Sequence, residues 1–296
     1  MIYANCQGDA VKIFLRKSRS FVRSYKIVSL VNYVVLTEKT ELEKKIFANA
    51  ELFIYQPLAD RHGIYSTNEI LKLLPPTCIK LSFAYIYNDG LWPLFIEDKV
   101  IKGEDIIVKL IQNGVSLPQI ILRLYKGNID FRLKERFQKS LNILSSKEQK
   151  TDIKTAEYIL QNIRKRRLFL TQNHHTSEIY IHVANQILTR LNYSPLPSPN
   201  SYSVNEANLP DCWPQSPYET NSLKFQYTTD WKSFHKIRRK SNWLRFHLKI
   251  ISQIYNRNST SIWSRLYCFS VIRIWLFSCD YLGLGYTKMM KIHEND

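Results

Sequence analysis

The sequence predicts an α/β fold with an N-terminal parallel sheet flanked by helices, a helical middle section and a basic, mainly helical C-terminal region. Three observations lead to this prediction. Short apolar runs alternate with helical patterns over the first 85 residues. Apolar residues then recur at helical spacing through residues 104–167. The segment from residue 223 onward combines helical patterns with a strong excess of Lys and Arg.

The N-terminal segment contains four predicted strands, separated by helical patterns and short connections. The strands are Ile2–Asn5, Lys26–Leu36, Glu51–Tyr55 and Cys78–Phe83, and the intervening helices are Gly8–Lys17, Glu38–Ala48 and Ile70–Leu74. Ser66 and Thr67, with Glu69 close behind, predict the cap of the last of these helices. Parallel sheets bind ligands outside the carboxyl ends of their strands. That rule singles out the loops after Asn5, Tyr55 and Phe83.

The middle of the chain is predicted to be helical, with one further strand. The helices are Glu104–Asn113, Leu117–Tyr125, Phe131–Ser145, Asp152–Arg167 and Ser177–Leu191, and the strand is Leu168–Thr171. Residues 194–222 contain six of the eleven prolines and indicate a loop or linker. We therefore divide the chain into an α/β domain at 1–193, a Pro/Ser/Asn-rich linker at 194–222 and a basic helical region at 223–296.

The composition favours anionic partners and excludes several classes of site. The 42 basic and 25 acidic residues give a net charge of +17, which favours phosphorylated cofactors, anionic lipid surfaces or nucleic acid. No nucleic-acid-binding signature and no glycine-rich nucleotide loop occurs, so nucleic acid is not expected. Five scattered cysteines indicate neither a disulfide framework nor a metal site. Without a signal peptide or a long apolar span, the expected location is cytoplasmic.

Cys6 occupies the junction between the first strand and the following helix. The amides and dipole of a helix start favour an anion, and a cysteine there is often a reactive thiolate. The same amides, with the side chains of Asn5 and Gln7, would suit a developing oxyanion. The alternative is that Cys6 is a small buried side chain without chemistry, and the local pattern leaves that alternative open.

Two other segments carry candidate chemistry. His174 and His175 follow the predicted strand at 168–171, where either imidazole could activate Cys6 or deprotonate a hydroxyl. In the loop after the third strand, Arg61 could grip a phosphate and His62 is another candidate base. Structural explanations exist for each residue, because a histidine can cap the next helix and polar loops are common. A basic run follows Cys6 and indicates either phosphate neutralisation or a solvated helix face: Lys12, Arg16, Lys17, Arg19 and Arg23.

The opening Asn5-Cys6-Gln7-Gly8 resembles the start of the polysaccharide biosynthesis enzyme WcbI family of bacterial acetyltransferases. Three later segments resemble that family's subsequent blocks, and the match runs in order over residues 1–192. These segments are Tyr55–Leu58 with Arg61–Thr67, Tyr85–Pro93 and Asn173–His175.

The resemblance implies a coenzyme A-dependent enzyme that acetylates a sugar hydroxyl of a capsule or other surface polysaccharide, with a sugar or lipid-linked glycan as acceptor. Cys6 and His174 or His175 would then be catalytic. The expected coenzyme A or acetyl-coenzyme A contacts are Asn5, Gln7, Arg61, His62, Tyr65, Asn88 and Trp92. Two alternatives stay open, a glycan esterase with the same site and a non-catalytic basic protein that docks on membranes.

The basic C-terminal region offers a second kind of surface. Lys236–Lys240 precedes an aromatic and aliphatic helical pattern from Trp243 to Tyr255. This arrangement is typical of a helix on an anionic membrane, and it suits peripheral attachment at the inner membrane face. It is equally typical of a helical subdomain that packs on the core and exposes a basic face.

Overall fold

The computed structural model describes residues 1–97, 99–197, 213, 217–227 and 243–258. Its strands are β1 Ile2–Ala4, β2 Ser29–Val31, β3 Leu52–Tyr55, β4 Ile79–Ser82, β5 Phe95–Glu97 and β6 Val100–Lys102. Its helices are α1 Cys6–Leu15, α2 Arg19–Ser24, α3 Asn32–Glu38, α4 Lys44–Ala48, a 3₁₀ helix Asp60–Tyr65, α5 Thr67–Leu71, α6 Glu104–Gln112, α7 Leu117–Tyr125, α8 Leu133–Glu148, α9 Ala156–Asn162, α10 Ser177–Arg190, α11 Pro217–Leu223 and α12 Trp243–Asn258.

The chain folds into two units, each made of separate stretches of sequence. The first takes residues 1–89, 135–213 and 225–228, and the second takes 90–134, 214–224 and 229–296. These units divide the chain at residues 89 and 134, where the composition indicated no boundary. Most of 194–222 lies outside the described residues, so the predicted linker stays a prediction, except that Pro217–Leu223 is helical.

A parallel sheet forms the centre of the first unit, in the order β2-β1-β3-β4. Tyr3 of β1 pairs with Leu30 on one side and with Tyr55 on the other. A parallel bridge between Phe83 and Ile153 continues the pairing beyond β4. The predicted parallel sheet flanked by helices is therefore confirmed.

Side-chain alternation along β1 places its residues on opposite faces of the sheet. Ile2 and Ala4 face α1, which approaches the strand closely at Gly8. Tyr3 faces the other way and joins a buried cluster on the opposite face. That cluster comprises Tyr3, Phe47, Ala50, Phe53, Ile70, Leu74 and Cys78. Burying apolar side chains on both faces is what holds a parallel sheet between helices.

Three sequence predictions of secondary structure are wrong in part. The predicted strand Lys26–Leu36 is a strand only at Ser29–Val31, and α3 begins at once at Asn32. The predicted strand Leu168–Thr171 forms only one antiparallel bridge, between Phe169 and His175. The predicted helix Asp152–Arg167 shortens to Ala156–Asn162. Apolar and β-branched runs of this length are compatible with either structure, and tertiary contacts decide between them.

Two hydrogen-bonded carboxylates, the partly exposed Asp152 and the buried Glu148, explain the late start of α9. Asp152 accepts hydrogen bonds from the backbone and hydroxyl of Ser82 at 2.7 and 2.6 Å, so it is tied to the end of β4. Glu148 accepts from the backbone N–H and the hydroxyl of Thr155, each at 2.6 Å. These bonds satisfy groups that a longer helix would have to satisfy internally.

The second unit has its own hydrophobic core. β5 and β6 form an antiparallel hairpin that the sequence analysis did not predict. The core draws on α6, α7 and α12, and its members include Ile107, Ile120, Leu124, Leu248, Ile251 and Ile254. The apolar side chains of α12 at 248, 250, 251 and 254 are thus buried in this unit, which favours the packed subdomain over a membrane-lying helix. Lys236–Lys240 lies outside the described residues. In the described part of the chain, no helix is both long and apolar enough to span a membrane.

Candidate active site

The strand order places a crevice at the carboxyl ends of β1 and β3. β1 lies between β2 and β3, so the chain turns to one side after β1 and to the other after β3. In open parallel sheets, ligands bind where the connections diverge in this way. Asn5 and Cys6 follow β1 at this edge, and Gln56 follows β3.

Asn5-Cys6-Gln7-Gly8 forms the start of α1, as the sequence predicted. Asn5 caps the helix, because its Oδ1 accepts the backbone N–H of Gln7 at 2.9 Å. Cys6 is the first helical residue and is partly exposed. A Cβ at position 8 would lie 2.6 Å from Ala4 Cβ, so only glycine allows α1 to begin this close to β1.

Cys6 and His174 meet although 168 residues separate them in the chain. The distance from Cys6 Sγ to His174 Nε2 is 3.7 Å, within hydrogen-bond range for sulfur. A tight turn holds the backbone of His174. Its N–H donates to Thr171 Oγ1 at 3.1 Å, and its carbonyl accepts from Leu170 N at 2.9 Å. A thiol at a helix start in contact with an imidazole is the pairing from which a nucleophilic thiolate is made.

His175 is a poor candidate for the base. Its side chain is 1% exposed, and its Nδ1 lies 3.3 Å from the hydroxyl of Tyr180. Burial, with a smaller contribution from His174, lowers the pKa of His175 to about 3, so the ring stays neutral. His174 makes the contact with the Cys6 thiol, so the structure favours His174 over His175 as the candidate base.

The predicted ligand contact through Gln7 needs correction, because its side chain is fully buried and fully hydrogen-bonded. Nε2 donates to the carbonyls of Ile86 and Asn173 at 2.8 and 2.9 Å. Oε1 accepts from Ile86 N at 3.2 Å and from Gln56 Nε2 at 3.0 Å. An amide side chain makes at most two donor and two acceptor bonds of this kind. Neither this amide nor the backbone N–H of Gln7, which Asn5 caps, is available as an oxyanion donor.

The 3₁₀ helix Asp60–Tyr65 brings the second predicted group to the carboxyl edge of β3. Arg61 is exposed, whereas His62 and Tyr65 are partly exposed. The carbonyl of Tyr65 accepts a hydrogen bond from the hydroxyl of Tyr3 at 3.0 Å, which ties this segment to β1. Their roles toward a cofactor stay predictions.

Asn88 and Trp92, which the resemblance implied as coenzyme A contacts, are both buried. Asn88 is 1% exposed, and its Nδ2 donates to the carbonyl of Phe137 in α8 at 3.2 Å. Trp92 belongs to the second unit and is 0% exposed. Both side chains are buried in the protein, so a ligand at the surface cannot reach them.

The basic run after Cys6 extends away from the candidate site. α1 starts at the carboxyl edge and contains 10 residues, so it rises about 15 Å toward the amino edge. Arg16, Arg19 and Arg23 are exposed at or beyond its far end. Lys12 pairs with Asp9 at 3.5 Å. This placement favours the solvated-face interpretation.

Sequence reasoning missed one residue that lies beside the histidine turn. Tyr180 of α10 contacts His175 and stacks on Phe14, with ring centroids 6.4 Å apart. Burial raises the pKa of Tyr180, and Cys6 and Tyr85 act in the same direction. An apolar helical pattern predicts burial for Tyr180, but it gives no sign that the hydroxyl meets His175. Glu178, in the first turn of the same helix, pairs with Arg166 at 3.0 Å.

Comparison with known proteins identifies the fold and the family. A solved structure of WcbI, described as a novel polysaccharide biosynthesis enzyme in a native form without a disulfide bond between coenzyme A and one of its cysteines, has a similar fold. The TM-score is 0.59 at 18% sequence identity, and the match covers 92% of this chain and 97% of that chain. A search of curated proteins gave no significant match. The family model of the polysaccharide biosynthesis enzyme WcbI matches residues 1–196. The chain therefore belongs to the WcbI family of polysaccharide biosynthesis enzymes.

Proposed function

We propose that this protein transfers an acyl group, in the simplest case acetyl, from coenzyme A to a sugar hydroxyl during surface-polysaccharide synthesis. Cys6 would be the nucleophile and His174 the base. The observation that carries the proposal is the 3.7 Å contact between Cys6 Sγ and His174 Nε2. It lies at the carboxyl ends of the strands, where the fold binds ligands.

The choice of coenzyme A is supported by the relative and by the residues at this edge. The description of the similar WcbI structure refers to coenzyme A and to a disulfide bond between coenzyme A and a cysteine. In this chain, the partly exposed Cys6 would meet the sulfur end of the donor. Arg61 is exposed on the adjoining 3₁₀ helix, and its guanidinium suits a phosphate. A thiol, a base and a phosphate-binding cation are the groups that such a donor requires.

The donor supplies an acyl group that is activated as a thioester. His174 Nε2 takes the proton of Cys6 Sγ, and the thiolate bonds to the acyl carbon as the thioester bond breaks. The proton on His174 then passes to the leaving thiolate. In the second half, His174 takes the proton of the sugar hydroxyl, whose oxygen bonds to the acyl carbon. Cys6 leaves as a thiolate and recovers that proton. We place these steps in the cytoplasm, on a free or lipid-linked sugar.

The proposal is tested by calorimetric titration with coenzyme A of the wild type and of the variants Cys6→Ala, His174→Ala and Cys78→Ala. Cys78 is a buried core thiol outside the site and serves as the matched control. We expect saturable binding that is unchanged in Cys78→Ala and weakened in Cys6→Ala. A folded protein that binds no coenzyme A at low salt would contradict the proposal. Hydrolysis of simple esters without such binding would favour the glycan esterase instead.

A further inference from the structure

Two buried glutamines link the segments that carry Cys6 and His174. Gln7 and Gln56 are 0% and 3% exposed, so each amide was transferred out of water and needs all its hydrogen bonds. The bonds form a directed chain. Asn5 N donates to Gln56 Oε1 at 3.0 Å, Gln56 Nε2 donates to Gln7 Oε1 at 3.0 Å, and Gln7 Nε2 donates to the Asn173 carbonyl at 2.9 Å.

The ends of this chain flank the two candidate catalytic residues. Asn5 and Gln7 are the neighbours of Cys6 in sequence, and Asn173 immediately precedes His174. A rigid link between Gln7 and Asn173 therefore fixes the backbone next to the thiol relative to the backbone next to the imidazole.

The orientation of the Gln7 amide is determined by the protein. Ile86 offers both its N–H and its carbonyl to the same side chain, at 3.2 Å to Oε1 and at 2.8 Å to Nε2. A flipped amide would set Nε2 against the Ile86 N–H and against Gln56 Nε2, two donors that cannot accept. The Gln7 amide is therefore held in one orientation, and a buried, fully hydrogen-bonded network of this kind favours a single arrangement of the segments that it joins.

We propose that Gln7 and Gln56 are positioning residues that set the contact between Cys6 Sγ and His174 Nε2. The catalytic meaning of the pair rests on the proposed acyl transfer. Its effect on geometry does not, because the reactivity of the thiol can be measured without coenzyme A or sugar.

The test is the pH dependence of Cys6 alkylation by iodoacetamide, followed for the Cys6 peptide by mass spectrometry. The variants are Gln7→Glu, Gln56→Glu and His174→Ala. An ionised glutamate at position 7 cannot donate to the Asn173 carbonyl, so the turn loses its link to α1. We expect the Gln7→Glu profile to follow that of His174→Ala. In both variants the midpoint of alkylation should rise by about one pH unit, which lowers the alkylation rate below the midpoint about tenfold. Gln56→Glu should fall between that profile and the wild type.

Two controls separate positioning from stability. Gln161→Glu makes the same chemical change at an exposed site, where Nε2 contacts Glu157. Phe47→Leu weakens the buried cluster on the other face of the sheet. Both should retain the wild-type profile. If folded Gln7→Glu also retains it, the proposal is overturned. If Gln7→Glu does not fold, a wild-type profile in Gln56→Glu has the same consequence. Failure of the acyl-transfer proposal would show in calorimetry and would leave these profiles unaffected.

Discussion

Replacing Gly8 by Ala should weaken the packing of α1 against β1, the two elements that position Cys6. The new Cβ would lie 2.6 Å from Ala4 Cβ and 3.0 Å from Ile2 Cγ2. Ordinary carbon contacts begin near 3.5 Å, so α1 must move from β1 by about 1 Å. Overpacking of this kind costs up to about 3 kcal/mol, and the better helix propensity of Ala returns about 1 kcal/mol. We expect a net loss of about 2 kcal/mol in the free energy of unfolding.

The assay is urea unfolding of Gly8→Ala in the wild-type background and in an Ala4→Gly background. Removing the Ala4 Cβ removes the closest clash, so the cost of Gly8→Ala should fall by at least about 1 kcal/mol in the double variant. Cys6 alkylation should change in the single variant, because a movement of about 1 Å is enough to break a hydrogen bond to sulfur. Equal costs in the two backgrounds, or an unchanged alkylation rate, would refute the close-approach argument.

Three further predictions concern the histidine turn and the donor site. Because burial lowers the pKa of His175 to about 3, the unfolded chain takes up a proton below pH 6.5 that the folded chain refuses. The free energy of unfolding should therefore decrease by about 1.4 kcal/mol for each pH unit as the pH is lowered below 6.5. In His175→Asn this slope should be smaller by that amount, as measured by urea unfolding between about pH 4 and 7. Tyr180→Phe removes the hydroxyl that lies 3.3 Å from both the backbone N and Nδ1 of His175. It should lower the free energy of unfolding by about 1–2 kcal/mol, measured by urea unfolding, and an unchanged free energy of unfolding would show that the hydroxyl contributes nothing. Arg61→Ala should weaken coenzyme A binding about tenfold in calorimetry, and an unchanged Kd would remove Arg61 from the site.

The alternation of strands and helices was sufficient to predict the sheet, because parallel strands buried on both faces leave a clear apolar pattern. β1, β3 and β4 occur where that pattern places them. The segment after β2 was misassigned, since Val34 and Val35 favour a strand by residue type, whereas packing makes them part of α3. The division into units was not predictable from composition, because the second unit joins stretches that are distant in the sequence.

The candidate site was predictable where position in the fold decides chemistry. The strand-edge rule placed Cys6 after β1 and brought the histidine pair to the same site. It did not choose between His174 and His175, and the strand predicted before them forms only one bridge. The same rule failed for Gln7 and Asn88, because it locates a residue without giving the direction of its side chain. Gln56 escaped notice for a related reason, since its partners Asn5 and Gln7 are about fifty residues away in sequence and the contacts form only in the folded chain.

The central claim is that Cys6 carries the acyl group, and mass spectrometry of the protein after incubation with acetyl-coenzyme A tests it most directly. In the absence of a sugar acceptor, we predict one added acetyl group on the Cys6 peptide. The adduct should be absent from Cys6→Ser, strongly reduced in His174→Ala and retained in Cys78→Ala. An unmodified Cys6 in a wild-type protein that binds acetyl-coenzyme A and acetylates a sugar would contradict the account, and it would point to direct transfer with His174 as the base.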